Sequence, residues 1–312
     1  HFFIYVEYFK LTDQLKTSQK IFTIMLPFCA GYLLSYLLRS NAIISREIET
    51  EFALNAQQIG LIFSTYFLVF ALFQLPLGIL LDKFGPKKVQ IILLIVASLG
   101  SFIFYSSNNI FQFTIATGLI GLGVSGCLMS GFKIVTMWYE EKYWPILFGL
   151  ILSSGGFGAV LATKPLDFIL TLFGVQYIYL FYAICFLFIS FSIWFFTPEK
   201  KIKIDNYDSS HLIKNQIIAL KKIFTSRVFW QVAPLAAISG GTGSAIQGLW
   251  ARPWLRDVAT DIIPVNMLLV LSLASLAGML FIGFTPRIFK RFNISQISLF
   301  FYLTVFLIIG HT

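Results

Sequence analysis

One short stretch constrains this chain more than any other: Gly78-Ile79-Leu80-Leu81-Asp82-Lys83-Phe84-Gly85-Pro86-Lys87-Lys88, set between two long apolar runs. It crowds a carboxylate and three lysines into a connection too short to be a domain. The flanking runs are long enough to cross a bilayer, which takes about 20 apolar residues. A charged turn between two such runs has to lie at a membrane face, and its lysines indicate which face.

The pattern recurs along the chain. Apolar runs occupy 21–44, 57–81, 89–106, 110–137, 144–164, 175–197, 228–250, 264–285 and 294–310. Their length and continuity predict helices, because barrel strands would be about ten residues long and would alternate. Composition agrees: 57% of residues are apolar and only 12% charged, against about 25% charged in soluble domains. Such a chain cannot clothe a water-facing surface. The expected fold is all-α, a polytopic membrane protein with nine transmembrane helices. The first run follows Lys10, Lys16 and Lys20. It exceeds a signal-peptide core and has no small-residue cleavage site, so it reads as a retained first helix.

The net charge of +9 does not indicate a nucleic-acid partner, because the cations follow the membrane topology instead. With the N-terminus cytoplasmic, 18 of the 23 basic residues fall on inner segments and only Arg39, Arg46, Lys164, Arg252 and Arg256 on outer ends. The opposite orientation would invert that ratio and break the positive-inside rule. Cys29, Cys127 and Cys185 fall inside apolar runs without paired spacing, as small packing residues do. His1, His211 and His311 are scattered. No metal site, cofactor or catalytic constellation is expected, so the chain does not read as an enzyme.

The runs group as a cytoplasmic segment (1–20), six helices (21–197), a polar linker (198–227) and three further helices (228–312). Gly78-Ile79-Leu80 and Gly278-Met279-Leu280 close the second run of each group, and each precedes a basic turn. That is the plan of a duplicated transporter. Here the chain resembles the major facilitator superfamily of secondary transporters. The stretch Gly78–Lys88 is similar to that superfamily's motif between its second and third helices, G-x-L-x-D-[RK]-x-G-x-[RK]-[RK], with each key position filled. Three further segments resemble a bacterial branch of sugar-phosphate and nitrate/nitrite permeases: Trp138-Tyr139-Glu140-Glu141, the run Gly149–Pro165, and Gln247 through Asp257. Members of the superfamily usually have twelve helices. This chain starts at His1 and stops in its ninth run, so the expectation is a fragment lacking three helices.

The resemblance implies that Asp82 latches neighbouring helix ends and a basic residue across the cytoplasmic face. Gly78 and Gly85 would permit close helix approach and a tight turn, and Lys83, Lys87 and Lys88 would also anchor the topology. Ionisable residues inside a membrane are functional candidates by default. No carboxylate lies away from the end of a run; Asp167 follows Lys164 by one turn and can pair with it.

Tyr32, Tyr36 and Arg39 share a helix face at i, i+4 and i+7. They form either an anion-binding wall, since guanidinium matches carboxylate and phosphate geometry, or a snorkelling arginine beneath an aromatic belt. A straight helix puts Arg39 roughly 28 Å above Lys20, nearer the outer interface than the centre. Gly31–Arg39 resembles the first helix of organophosphate/phosphate exchangers, whose arginine there contacts substrate. Tyr66, Phe70 and Gln74 share a second face, with Gln74 lining a cavity or bonding another helix. Lys133 is either an anchor or a cation on the path. Gly155, Gly156 and Gly158 read as helix-packing residues. Gly240, Gly241 and Gly243 can let the seventh helix bend, with Gln247, Trp250 and Arg256 toward its outer mouth.

The function expected is secondary transport of a small, anionic organic solute across a bacterial cytoplasmic membrane by alternating access. The protein would act as a monomer, and a coupling ion would be H+ or Na+. A transporter-like receptor, a non-functional truncated transporter, and amino-acid, neutral-solute or drug substrates remain alternatives.

Overall fold

The computed structural model describes residues 21–39, 44–199, 218, 221–246, 254 and 264–291. The described residues form helices and connecting turns, with no strand among them. A π-helical turn, Ile21–Met25, leads into α1, Leu26–Arg39. The short α2, Ile44–Glu51, precedes the long α3, Ala56–Tyr105. Asn55 starts α3 by a reciprocal capping box with Gln58, each side chain accepting from the other's backbone N–H at 2.9 Å.

Gly85 breaks α3 into arms 56–84 and 86–105. Its φ of 81° is a left-handed value that favours glycine, and Pro86 then starts the second arm with φ already set. This is the charged turn of the sequence, and it joins the second and third apolar runs as expected. The fourth run is divided at Ser125–Gly126 into α4, Ile110–Val124, and α5, Cys127–Trp138. A short 3-10 turn, Glu141–Tyr143, leads into α6, Trp144–Leu161. Helix α7, Lys164–Phe196, is broken at Gly174, where φ is 78°, into arms 164–173 and 175–196. The second arm is the sixth run. The first arm places Lys164 and Asp167 on helix, where the sequence predicted the end of the fifth run. Helices α8, Arg227–Ala245, and α9, Pro264–Arg291, follow. The run at 294–310 and the segment 1–20 lie outside the described residues.

Four described helical stretches are long and apolar enough to cross a membrane: Ala56–Tyr105, Ile110–Trp138, Glu141–Leu161 and Lys164–Phe196. The Gly85 turn and the end of α7 meet at one end of the bundle, called here the basic end. At the far end, Phe104 stacks on Tyr179 with centroids 3.6 Å apart and tilts against Phe113 at 4.8 Å, all three fully buried.

Small residues set the helix spacing. A Cβ at Gly121 or Gly123 of α4 would overlap the backbone of α3 at Tyr66 or at Leu93 and Ala97. The glycines of α6 serve two neighbours: Gly155 abuts the Tyr32 ring, Gly158 abuts the Leu33 carbonyl, and a Cβ at Gly156 would lie 3.0 Å from Leu276 and Met279 of α9. Helix α6 thus packs on α1 with one face and on α9 with another, the close approach that small residues allow in lipid.

Candidate functional site

Two clusters of polar groups stand out, one within the helix bundle and one at its basic end. The first gathers residues from α1, α3 and α8. Arg39 ends α1 and donates from Nη2 to Ser244 Oγ of α8. Its guanidinium lies 5.5 Å from the Tyr36 ring and 5.8 Å from the Phe67 ring, distances at which a cation is attracted to the π face. Tyr32 and Tyr36 meet edge to face at 5.6 Å. Tyr66 of α3 packs against Phe67 at 5.1 Å and Phe70 at 6.2 Å. Its hydroxyl is buried beside Ser35 without a hydrogen bond of normal geometry. Tyr32 and Tyr66 both lie within electrostatic reach of Arg39.

Phe67 lies eleven residues from Ala56 along the 56–84 arm, about 16 Å at 1.5 Å per residue. That arm is about 43 Å long and exceeds the roughly 30 Å hydrocarbon core. The guanidinium lies beside Phe67 in the first half of that arm.

The basic end carries the second cluster. Lys133 of α5 donates to Asp82 Oδ1 at 2.7 Å. Lys88 pairs with Glu199, and Lys87, itself buried, donates to the carbonyl of Thr197 at the end of α7. Lys83 lies over the Phe84 ring at 5.3 Å. The turn thus ties α3 to α5 through its carboxylate and to the chain leaving α7 through two of its lysines.

Between α3 and α5 a cleft of about 530 Å³ is lined by Gln74, Leu77, Gly78, Asp82, Met129 and Lys133, among others. Gln74 borders this cleft and also donates to the carbonyls of Phe70 and Ser125, each at 3.3 Å. Gly78 departs from expectation: a Cβ there meets nothing within 4 Å. Among the described residues it borders the cleft, and no helix approaches it closely.

Tyr32, Tyr36, Arg39 and Tyr66, candidates from two different runs, are thus brought to one place. Lys133 lies apart from them with Asp82. Gln247, Trp250 and Arg256 lie outside the described residues. Ser35, Phe67 and Ser244 were missed. Ser35 and Phe67 neighbour named candidates in sequence, but neither carries a signal of its own. Ser244 follows the Gly240–Gly243 stretch by one residue, and only its contact with Arg39 brings it to the site.

The comparison with known families bears on what these clusters belong to. A family model described as Major Facilitator Superfamily matches residues 28–311. The chain belongs to this superfamily. Membership in this transporter superfamily, together with the apolar helices, makes it a multi-pass membrane protein. It is 27% identical over 129 residues to the "Probable sulfoacetate transporter SauU" of Cupriavidus necator, covering 41% of this chain and 29% of the relative. It is 26% identical over 158 residues to a hexuronate transporter of Bacillus subtilis, covering 50% and 37%. A nitrate/nitrite transporter, NrtP, of Picosynechococcus is 29% identical over 128 residues, covering 41% and 23%. Each match spans less than half the length of the relative.

Proposed function

We propose that this superfamily member is a secondary transporter of small organic anions, with Arg39 as the group that recognises the negative charge. The observation that carries the reading is the Arg39 guanidinium among the membrane-spanning helices, flanked by Tyr36 and Phe67 and bonded to a hydroxyl of α8. An ionised group within a membrane-spanning helix bundle is a functional candidate by default. Arginine stays charged there and presents a planar fork suited to a carboxylate or sulfonate. The Tyr32, Tyr36 and Tyr66 hydroxyls add neutral donors for the remaining oxygens of such a solute. The relatives are named for sulfoacetate, hexuronate and nitrate, all of them anions, which supports the same charge class.

In this reading the six-helix unit 21–197 rocks against the unit that starts at 228, with Arg39 on one and Ser244 on the other. The Asp82–Lys133 pair and the lysine contacts to the end of α7 form the latch at the basic end, which the positive-inside rule assigns to the cytoplasm. The protein acts as a monomer in the cytoplasmic membrane, and any coupling ion is H+ or Na+. The test is uptake of radiolabelled glucuronate and sulfoacetate into proteoliposomes. Uptake lost in Arg39→Ala supports the reading, and uptake equal to wild type refutes it.

A further inference from the structure

The contact between Arg39 and Ser244 has a chemical polarity that assigns it more than a packing role. Ser244 Oγ donates its one proton to the Gly240 carbonyl, at 2.7 Å. With that proton committed, the oxygen turns only lone pairs toward Arg39, whose Nη2 donates to it. A serine oxygen therefore stands where an anionic oxygen of a solute would stand.

The helix that carries this oxygen is built to withdraw. Among the described residues, Cβ atoms at Gly240, Gly241 and Gly243 would meet nothing within 4 Å. These glycines weaken the helix by about 1 kcal/mol each relative to alanine. Pro234, ten residues before Ser244, removes a further backbone hydrogen bond from the same helix. The segment bearing Ser244 thus has weak intrinsic helix propensity, and Arg39 contacts it from the opposite unit of the chain.

We propose that Ser244 is an internal stand-in for the transported anion: it occupies Arg39 in the empty carrier, and the solute displaces it. The inference rests on the reading of Arg39 as the anion-recognising residue. It adds a specificity consequence. A solute has to offer Arg39 a better acceptor than a serine hydroxyl, which anions do and neutral solutes of the same shape do not, because hydrogen bonds to charged partners are the stronger ones. The displacement also couples binding to motion, since a solute on Arg39 releases α8 from α1.

The energetic signature follows from population arithmetic. A binding residue engaged internally lowers apparent affinity by the fraction of time it is free. A hydrogen bond from a charged donor corresponds to roughly a tenfold bias, so removal of the competitor should tighten binding by about that factor.

The test uses glucuronate and sulfoacetate as probes, with equilibrium binding measured on the full chain in nanodiscs. Ser244→Ala is expected to tighten binding about tenfold, and Ser244→Asp, which tethers a carboxylate beside Arg39, to weaken it by more than tenfold. Unchanged or weakened binding in Ser244→Ala overturns the proposal, even if Arg39→Ala abolishes binding and so upholds the anion site. Wild-type affinity in Ser244→Asp also overturns it. Wild-type affinity in Arg39→Ala overturns the anion site as well. Should Ser244→Ala fail to fold, Ser244→Asp decides the matter alone.

Discussion

Two glycine-to-alanine substitutions on the same bundle are predicted to act in opposite directions, and comparing them isolates the helix contact that positions Tyr66. At Gly121 of α4 the new methyl would overlap the Tyr66 carbonyl oxygen and lie 3.1 Å from the Tyr66 carbonyl carbon and Cα. These are backbone atoms and cannot rotate away. Relief requires α4 and α3 to separate locally by about 1 Å, and overpacking of this kind costs about 1–3 kcal/mol. At Gly78 the same methyl meets nothing within 4 Å. Both substitutions gain about 1 kcal/mol of helix propensity, so their difference reports the overpacking alone. Thermal unfolding in nanodiscs should show Gly78→Ala at or above the wild-type midpoint and Gly121→Ala below Gly78→Ala by several degrees. Because Tyr66 moves with the contact, Gly121→Ala should also weaken glucuronate binding several-fold. Equal midpoints for the two variants would refute the α3–α4 packing described here. If Gly78→Ala is stable and yet inactive, the glycine is needed when the cleft beside it closes.

At the basic end, Asp82→Lys should abolish uptake, and Asp82→Lys combined with Lys133→Asp should restore part of it, because the pair at 2.7 Å is re-formed with its charges exchanged. Both side chains are substantially exposed, at 55% and 37%, so the stability change should stay within about 1 kcal/mol; a single variant that unfolds would show a structural rather than a latching role. Gly174→Ala forces a Cβ into a backbone with φ of 78° and should destabilise the reversal in α7 by about 1–2 kcal/mol; an unchanged unfolding midpoint would contradict that turn.

Much of the architecture was legible because lipid leaves a coarse record. Run lengths located the helices, and the lysines beside Gly85 marked a turn whose left-handed glycine the structure then displays. The glycines of α6 could be read as packing residues from size alone, although which faced α1 and which faced α9 could not. The break at Ser125–Gly126 left no hydropathy signal, because both sides of it are apolar. The site was half legible. Helical periodicity placed Tyr32, Tyr36 and Arg39 on one face, but it gave no sign that Phe67 of α3 would lie against the guanidinium. Ser244 was illegible for a different reason. Its role comes from a contact 205 residues away in sequence, and a single hydroxyl among glycines carries no local signal of its partner.

The central claim is that Arg39 recognises a negative charge, and uptake by Arg39→Lys tests it most directly. In proteoliposomes, wild type should accumulate glucuronate and exclude glucose, a neutral sugar of similar size. Arg39→Lys keeps the charge but loses the planar fork, so it should retain only a small part of glucuronate uptake, and Arg39→Ala none. Glucuronate uptake at the wild-type rate in both variants, or equal uptake of glucose and glucuronate by wild type, would contradict the account.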